Sequence, residues 1–470
     1  MTPPTVLLRH RLPADLTTPL GAYLALRSHG ASLLLESADQ GERVGRHSFV
    51  LLEGEGEVAM APPARGWVEA LRALAGPVEA SCGVLVEDSE LPDDPRAPMP
   101  VGVGIAGYVG FEAMAGLEPT LALPAQDSLG LPTVRVRRFD GALVFDHLHQ
   151  VAELQVRAGS VPEARRKLLQ LRLALSLPVQ PREDAGNPRA VALIARETYE
   201  ARVRTAQARI HDGDVYQLVP SQRIRVDAPP SPLTAYRRMR RLNPSPYGFL
   251  LEWDGFALAG ASPEMLVRVG DGEAETLPIA GTVPRGADEA EDIARFEGLR
   301  ADTKELAEHQ MLVDLARNDI GRISVPGGVR VERPLALQRT SHVLHLTTTV
   351  KGRIQDGLDA LDVLAACFPA GTVSGAPKVR AAQRIAEMEG DMRGPYGGAL
   401  VRLAADGTLD TALILRTAVY AQGAAWLQAG AGVVRASDPA KEYAETLHKM
   451  AAPAAALGVS LAGLALEVAA

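Results

Sequence analysis

Apolar residues alternate along the chain in short runs that meet at Asp-Gly. The runs are Val134 to Val144 around Asp140-Gly141, Phe249 to Ala259 around Asp254-Gly255, Leu266 to Thr276 around Asp271-Gly272, and Leu400 to Ile414 around Asp406-Gly407. Period-two alternation marks half-buried strands, and Asp-Gly suits the two-residue type I′ turn because both central positions need φ > 0. Four antiparallel hairpins are therefore expected. Between them the spacing changes to three and four, which predicts helices over Val161 to Leu175, Arg196 to His211, Asp302 to Ala316 and Lys378 to Met388. Helices inserted among strands without a regular βαβ rhythm predict an α+β fold with largely antiparallel sheets. No repeat of about 20 to 50 residues is visible, which excludes solenoids and propellers.

The clearest break is Leu177 to Arg189, a turn-rich stretch with Pro178, Pro181, Glu183, Asp184 and Pro188. It divides the chain into an N-terminal region, 1–180, a second region, 190–455, and a tail, 456–470. The stretch Met450 to Ala470 is mostly alanine and is interrupted by Pro453 and Glu467. A spanning helix needs about 20 strongly apolar residues, so a packed or loosely docked terminal helix is expected instead. Met1 to Leu20 carries Arg9, Arg11 and Asp15 and has no apolar core, unlike a signal peptide.

With 470 residues, 47% hydrophobic and 23% charged, the chain can bury a large core, and wholesale disorder is excluded. Its 49 basic and 57 acidic residues leave a net charge of −8, so nothing global favours nucleic acid. Cys82 and Cys367 cannot build a disulfide framework and form no C-x-x-C, which fits a reducing cytoplasm. The expectation is a cytoplasmic protein without nucleic-acid or membrane partners.

Candidate chemistry is local. Glu305 and Glu308, three apart on a predicted helix, share a face with Leu312 and Leu315. Glu442 and Glu445 repeat the spacing. Each pair alone fits a solvated helix rim, and Glu445 with Lys449 fits an i, i+4 surface pair. Together, four carboxylates without neighbouring thiols suit a hard ion such as Mg²⁺. The segment Gly371-Thr-Val-Ser-Gly-Ala-Pro-Lys378 leads into a helix and can hold an anion through loop amides and Lys378, although it lacks the Walker A spacing and also reads as a tight turn. Gly430 and Gly432 follow the strand around Trp426 and can expose backbone N–H groups. Arg416 interrupts an apolar strand, where its guanidinium would meet either a substrate carboxylate or a buried structural partner. Gln217, Glu264 and His345 are polar residues in apolar settings, compatible with a site or with a satisfied core.

These segments in this order resemble the chorismate-utilising enzymes, most nearly the large component of anthranilate synthase. The resemblance runs from about Glu197 to Met450. It rests on Gly213-Asp-Val-Tyr-Gln-Leu-Val219, Ala261-Ser-Pro-Glu264, Pro278-Ile-Ala-Gly-Thr-Val-Pro-Arg-Gly286, Glu305 to Asp319, Gly371 to Lys378, Tyr396-Gly-Gly, Ile414 to Thr417, Gly430 to Gly432, and Asp438 to Lys449. It implies orthogonally packed antiparallel sheets with flanking helices. It also implies one Mg²⁺ site from Glu305, Glu308, Glu442 and Glu445 facing the ring carboxylate of chorismate. Arg416, Tyr396 and the amides near Gly430 and Gly432 would hold the enolpyruvyl carboxylate, with Gly281, Thr282 and Lys378 also on the substrate. Glu264 would be the general acid for the departing ring hydroxyl, and His345 and Thr372 would line the ring and aid the elimination.

Two positions separate the branches of the family. Isochorismate and salicylate synthases have a lysine base where Gln217 stands, and many aminodeoxychorismate synthases have a nucleophilic lysine where Ala280 stands. The resemblance therefore implies external ammonia added at C2, then loss of pyruvate. Alternative outcomes are an aminodeoxyisochorismate synthase that stops before pyruvate leaves, or a non-catalytic tryptophan-sensing subunit. Leu34-Leu-Glu-Ser37 and Asn243-Pro-Ser-Pro-Tyr247, with Pro244, Ser245 and Pro246, look like the two halves of a tryptophan feedback pocket; Gly248 departs from the methionine of many relatives. Neither cysteine sits in a glutaminase-type elbow, so a separate glutaminase subunit and a hetero-oligomer are implied.

Overall fold

The computed structural model describes residues 6–37, 45–78, 83–87, 99–179, 181, 183–339 and 343–461. Cys82 lies outside them. Helices Val161–Leu175 and Arg196–His211 have the bounds expected, and Thr303–Gly321 and Lys378–Glu389 run past theirs at the C-terminal end. Local chemistry explains the clean starts. The Ser160 hydroxyl accepts from the Glu163 N–H with Pro162 in the first turn, and the helix then buries Ala164, Leu168, Leu171 and Ala174 along one stripe. The last helix, Pro439–Ala456, is capped by Asp438 and continues through Pro453 to bury Met450, Pro453, Ala454 and Ala456. The terminal helix thus ends at Ala456 rather than filling Met450 to Ala470, and residues 462–470 lie outside the described ones. Among the described residues no helix is long and apolar enough to cross a membrane.

Three of the four Asp-Gly hairpins are present: Tyr247–Trp253 with Phe256–Ser262, Arg268–Gly270 with Glu273–Thr276, and Ala399–Ala404 with Leu409–Leu413. At the second, Asp271 and Gly272 both have left-handed φ, 51° and 74°, as a type I′ turn requires. The hairpin expected at Asp140-Gly141 does not form. That dipeptide lies inside one strand, Val134–Asp146, where Phe139 pairs with Glu53 and Gly141 with Leu52, leaving Asp140 bulged out against Gly54.

This bulge has an architectural role. One sheet runs in the order Arg189–Ala192, Ser221–Asp227, Ala424–Gly430, Thr417–Ala421, Phe256–Ser262, Tyr247–Trp253, Ala31–Glu36, His47–Met60, Val134–Asp146, Val151–Ala158, Val6–Pro13 and Gly83–Glu87. Its last pair is parallel, and the others are antiparallel. Beyond the bulge the far ends of His47–Met60 and Val134–Asp146 enter a second sheet with Gly104–Val109, Ala399–Ala404, Leu409–Leu413, Arg268–Gly270, Glu273–Thr276 and Val343–Ile354. Val343–Ile354 also pairs with Ile279–Pro284 and Ser324–Arg339. Strands that switch sheets at a bulge are the corners of orthogonally packed sheets.

The expected boundary near residues 177–188 is a crossover in the chain rather than a gap between cores. Ala31–Glu36 pairs with Tyr247–Trp253, and Gly104–Val109 with Ala399–Ala404. One core joins Leu8, Val50, Leu143 and Leu154 to Ile224, Leu250, Leu427 and Met450.

Candidate active site

Glu264 follows the strand Phe256–Ser262, and its backbone is fixed twice: Leu413 N–H donates to its carbonyl at 2.9 Å, and the Ser262 hydroxyl donates to the same oxygen at 3.3 Å. The Thr372 hydroxyl donates to its carboxylate at 2.9 Å. Burial pushes this carboxyl up to about 7, opposed by the Thr372 hydrogen bond and by the charges of Lys449 and Arg416. Behind it lies a small cavity of about 40 Å³ shared with Leu312, Leu315, Asp319 and Thr372.

His345 sits in Val343–Ile354 directly across from Thr282. Its Nδ1 lies 3.0 Å from Thr282 Oγ1 and 3.3 Å from the Gly281 carbonyl. A carbonyl only accepts, so Nδ1 carries the proton and Nε2 is the basic nitrogen of the neutral ring. Burial lowers the imidazole pKa; the Gly281 contact raises it in part, and Arg416 lowers it further.

Arg416 joins Leu409–Leu413 to Thr417–Ala421 with a left-handed φ of 48°. Its guanidinium makes no hydrogen bond or ion pair among the described residues. Burial lowers its pKa, and Glu264 is the charge that opposes this. A guanidinium so held is a ready partner for a carboxylate from outside the chain.

Tyr396 is buried, its phenol pushed up to about 12 by desolvation, and the Gly430 N–H donates to its oxygen. A Cβ on Gly430 would come within 2.7 Å of the Pro220 carbonyl, and one on Gly432 within 2.8 Å of Gln217 Nε2. The buried Gln217 Oε1 has no hydrogen-bond partner among the described residues. Gln217 reaches this place because Gln217–Leu218 pairs with Gly375–Ala376, and a Cβ on Gly375 would meet the Gln217 carbonyl at 2.1 Å.

The glycine segment therefore acts through strand pairing and a four-residue helix, Gly371–Ser374, that carries Thr372. Lys378 departs from expectation. Its ammonium is buried under the segment, donating to Asp319 Oδ2 at 2.7 Å and to the Cys367 carbonyl at 2.9 Å, so its charge is neutralised within the protein.

The glutamates lie on two helices, Thr303–Gly321 and Pro439–Ala456. Glu305 Oε2 is near enough to Gly281 that a Cβ there would approach it to 3.3 Å, and Glu308 lies one turn further along the same helix. On the second helix Glu442 acts electrostatically on Tyr199, whose hydroxyl donates to the Pro220 carbonyl beside Gly430. Glu445 pairs with Lys449 at 2.8 Å, and Lys449 also donates to the Gly430 carbonyl at 2.9 Å. Lys449 was legible only as a surface partner, but it bears on Glu264. Among the described residues no three His, Cys, Asp or Glu side chains converge as a metal cage.

A second cavity, of about 270 Å³, is lined by Ser37, Pro246, Tyr247 and Gly248. Pairing of Gly248 with Glu36 brings the two sequence segments together. The Ser37 hydroxyl is buried without a hydrogen-bond partner among the described residues. Of the same segment, Ser245 instead donates to the Ser262 carbonyl at 2.5 Å, while Asn243 and Pro244 do not line the cavity. Arg46, Arg268 and Arg402 also line it; Arg46 precedes the strand His47–Met60, Arg268 and Arg402 come from strands far along the chain, and no local signal in the sequence marks them.

A protonatable carboxyl, a neutral imidazole and a guanidinium without a hydrogen-bond partner among the described residues are the groups of an enzyme's active site. The chain belongs to the chorismate binding enzyme family, whose model matches residues 31–455. Its relatives include anthranilate synthase component 1 of Thermus thermophilus, 41% identical over 96% of this chain and 97% of the relative, and that of Pseudomonas aeruginosa, 39% identical over 93% and 92%. The solved anthranilate synthase component I from Streptococcus pneumoniae superposes with a TM-score of 0.77 at 33% identity, covering 87% of this chain and 92% of that one. The isochorismate synthase MenF from Escherichia coli, at 20% identity and a TM-score of 0.70, shares the fold over 97% and 95%.

Proposed function

We propose that the chain is the chorismate-converting component of an anthranilate synthase, making anthranilate and pyruvate from chorismate and ammonia. The observation that carries this reading is the Glu264 carboxyl, raised to about 7 with Arg416 as a neighbouring charge; the sequence supports it with an amide at Gln217 and a methyl at Ala280, where lysines would mark the other branches. With no lysine at either position, ammonia is the nucleophile.

Glu264 protonates the C4 hydroxyl, which leaves as water while ammonia bonds to C2 and the two ring double bonds shift. The added nitrogen then loses a proton. Removal of the C2 proton with cleavage of the C3–O bond makes the ring aromatic and expels the enolate of pyruvate, whose methylene carbon takes up a proton to give pyruvate. The neutral His345, with Nε2 as its basic nitrogen, supports its assignment to this second stage. Arg416, Tyr396 and the amides around Gly430 bind the enolpyruvyl carboxylate.

The donor set of Glu305, Glu308, Glu442 and Glu445 fits Mg²⁺, which takes oxygen ligands and is bound through one or two carboxylates with water and substrate rather than by an all-protein cage. When bound it supplies positive charge for the ring carboxylate. Tryptophan is assigned to the 270 Å³ cavity, on the strength of the orphaned Ser37 hydroxyl and the joined Leu34–Ser37 and Pro246–Tyr247 segments. A separate glutaminase subunit supplies ammonia in this reading; the buried Cys367, its thiol pushed up to about 12, is unsuited to glutamine hydrolysis.

The test is the purified chain with chorismate, Mg²⁺ and an ammonium salt, products identified by fluorescence and mass. Anthranilate with equimolar pyruvate supports the proposal. Aminodeoxyisochorismate without pyruvate would make the chain the enzyme of the first stage only, and no turnover with intact tryptophan binding would make it a sensor.

A further inference from the structure

Three site-bearing segments, at Gln217, Thr372 and Tyr396, come from distant parts of the chain and meet around one buried side chain. Arg393 is 1% exposed. Its Nη2 donates to the Val219 carbonyl at 2.6 Å, two residues after Gln217, and its Nη1 donates to the Val373 carbonyl at 2.7 Å, next to Thr372. The guanidinium also lies 5.6 Å from the Tyr396 ring centroid and 4.5 Å from that of Phe111. Glu389 neutralises it, accepting from Nη2 at 2.6 Å and from Nε at 2.9 Å. Four of its five N–H donors are thus used in one plane.

The main chain of Arg393 is held in turn from the N-terminal half. The fully buried Glu112 carboxylate accepts the Arg393 N–H at 2.6 Å through one oxygen and the Gly394 N–H at 3.0 Å through the other. Glu112 follows Gly104–Val109, which pairs with Ala399–Ala404, so the anchor is tied to the second sheet.

We infer that Arg393, anchored by Glu112, is the positioning residue that sets Gln217, Thr372 and Tyr396 in register around the substrate. The inference rests on the proposed chorismate chemistry and adds to it a residue that touches no substrate. Only a planar fork can serve two carbonyls and a carboxylate in different directions; a lysine ammonium has the charge but not the geometry.

The test compares wild type with Arg393→Lys and Glu112→Gln in the ammonia-dependent conversion of chorismate, with circular dichroism and thermal melting alongside. A displacement of about 1 Å in such segments can cost 10²-fold in rate, so kcat of a folded Arg393→Lys is expected to fall about that far. Slippage of Thr372 also weakens its bond to the ionised Glu264, so the descending limb of the pH–rate profile should move to higher pH, toward that of Thr372→Val. A merely structural role would leave this limb in place. Glu112→Gln presents an N–H to one of the two main-chain donors and should show a smaller shift in the same direction; it decides the question if Arg393→Lys does not fold. An active wild type with kcat and the pH limb unchanged in the folded variants overturns the inference, whereas an inactive wild type overturns the function on which it rests.

Discussion

The Thr372 hydroxyl donates to the carboxylate of Glu264, 108 positions away in the chain, across 2.9 Å. The contact stabilises the ionised carboxylate, while burial stabilises the neutral acid. The balance, at about 7, leaves a substantial protonated fraction near neutral pH.

Glu264→Gln should therefore lower kcat by about 10²- to 10⁴-fold, the usual range for a lost general acid, with chorismate binding retained. At constant free NH₃, wild-type kcat/KM should fall as pH rises through about 7, where the acid loses its proton. Thr372→Val removes a bond to the charged form and should carry this limb to higher pH. A flat profile across that range would remove Glu264 from the role.

Glu308→Ala and Glu442→Ala should each abolish turnover while melting temperature and circular dichroism stay near wild type. A surface ion pair is worth at most about 1 kcal/mol, so a rim role predicts near-normal activity instead. Mg²⁺ titration of the wild type, followed calorimetrically in both variants, gives a readout independent of catalysis.

Ser37→Arg should eliminate tryptophan inhibition with the uninhibited rate largely preserved, because the new side chain fills only the second cavity. Calorimetry should show that tryptophan no longer binds. Wild-type turnover that is indifferent to millimolar tryptophan would remove the feedback role from this cavity.

Glutamine should be inert with the isolated chain and become a nitrogen source only when a glutaminase subunit is added, whereas ammonium salts should suffice alone. Anthranilate from glutamine and the chain alone, free of ammonia, would sink the two-subunit reading.

Gly430→Ala would drive a methyl to 2.7 Å from a backbone carbonyl that cannot swing aside. Overpacking of this kind costs about 1–3 kcal/mol. A lower melting temperature and a raised KM for chorismate are expected together, because the displaced Pro220 and Tyr396 border the site.

What the sequence disclosed follows from range. Helices with a local apolar stripe, such as Val161–Leu175, were legible to the residue, and so was the turn at Asp271-Gly272. Asp140-Gly141 misled because a bulge and a turn use the same dipeptide, and only the partner strand, with Glu53 and Leu52 on consecutive pairings, distinguishes them. Lys378 looks like an anion ligand in the sequence because Asp319, its partner, is 59 positions away. Glu264, His345 and Arg416 stood out as polar residues in apolar surroundings; Arg393 and Glu112 did not, since nothing near them in the chain reveals that they meet.

Because His47–Met60 and Val134–Asp146 each contribute to both sheets, and strands from the two sides of the Leu177–Arg189 connection lie next to one another, that connection can be severed without severing any strand pair. Two fragments divided there would each lack part of every major core and should be insoluble when made separately. Produced together they should find each other and restore the whole enzyme, so the chain is a natural candidate for split-protein complementation, with chorismate turnover as its reporter.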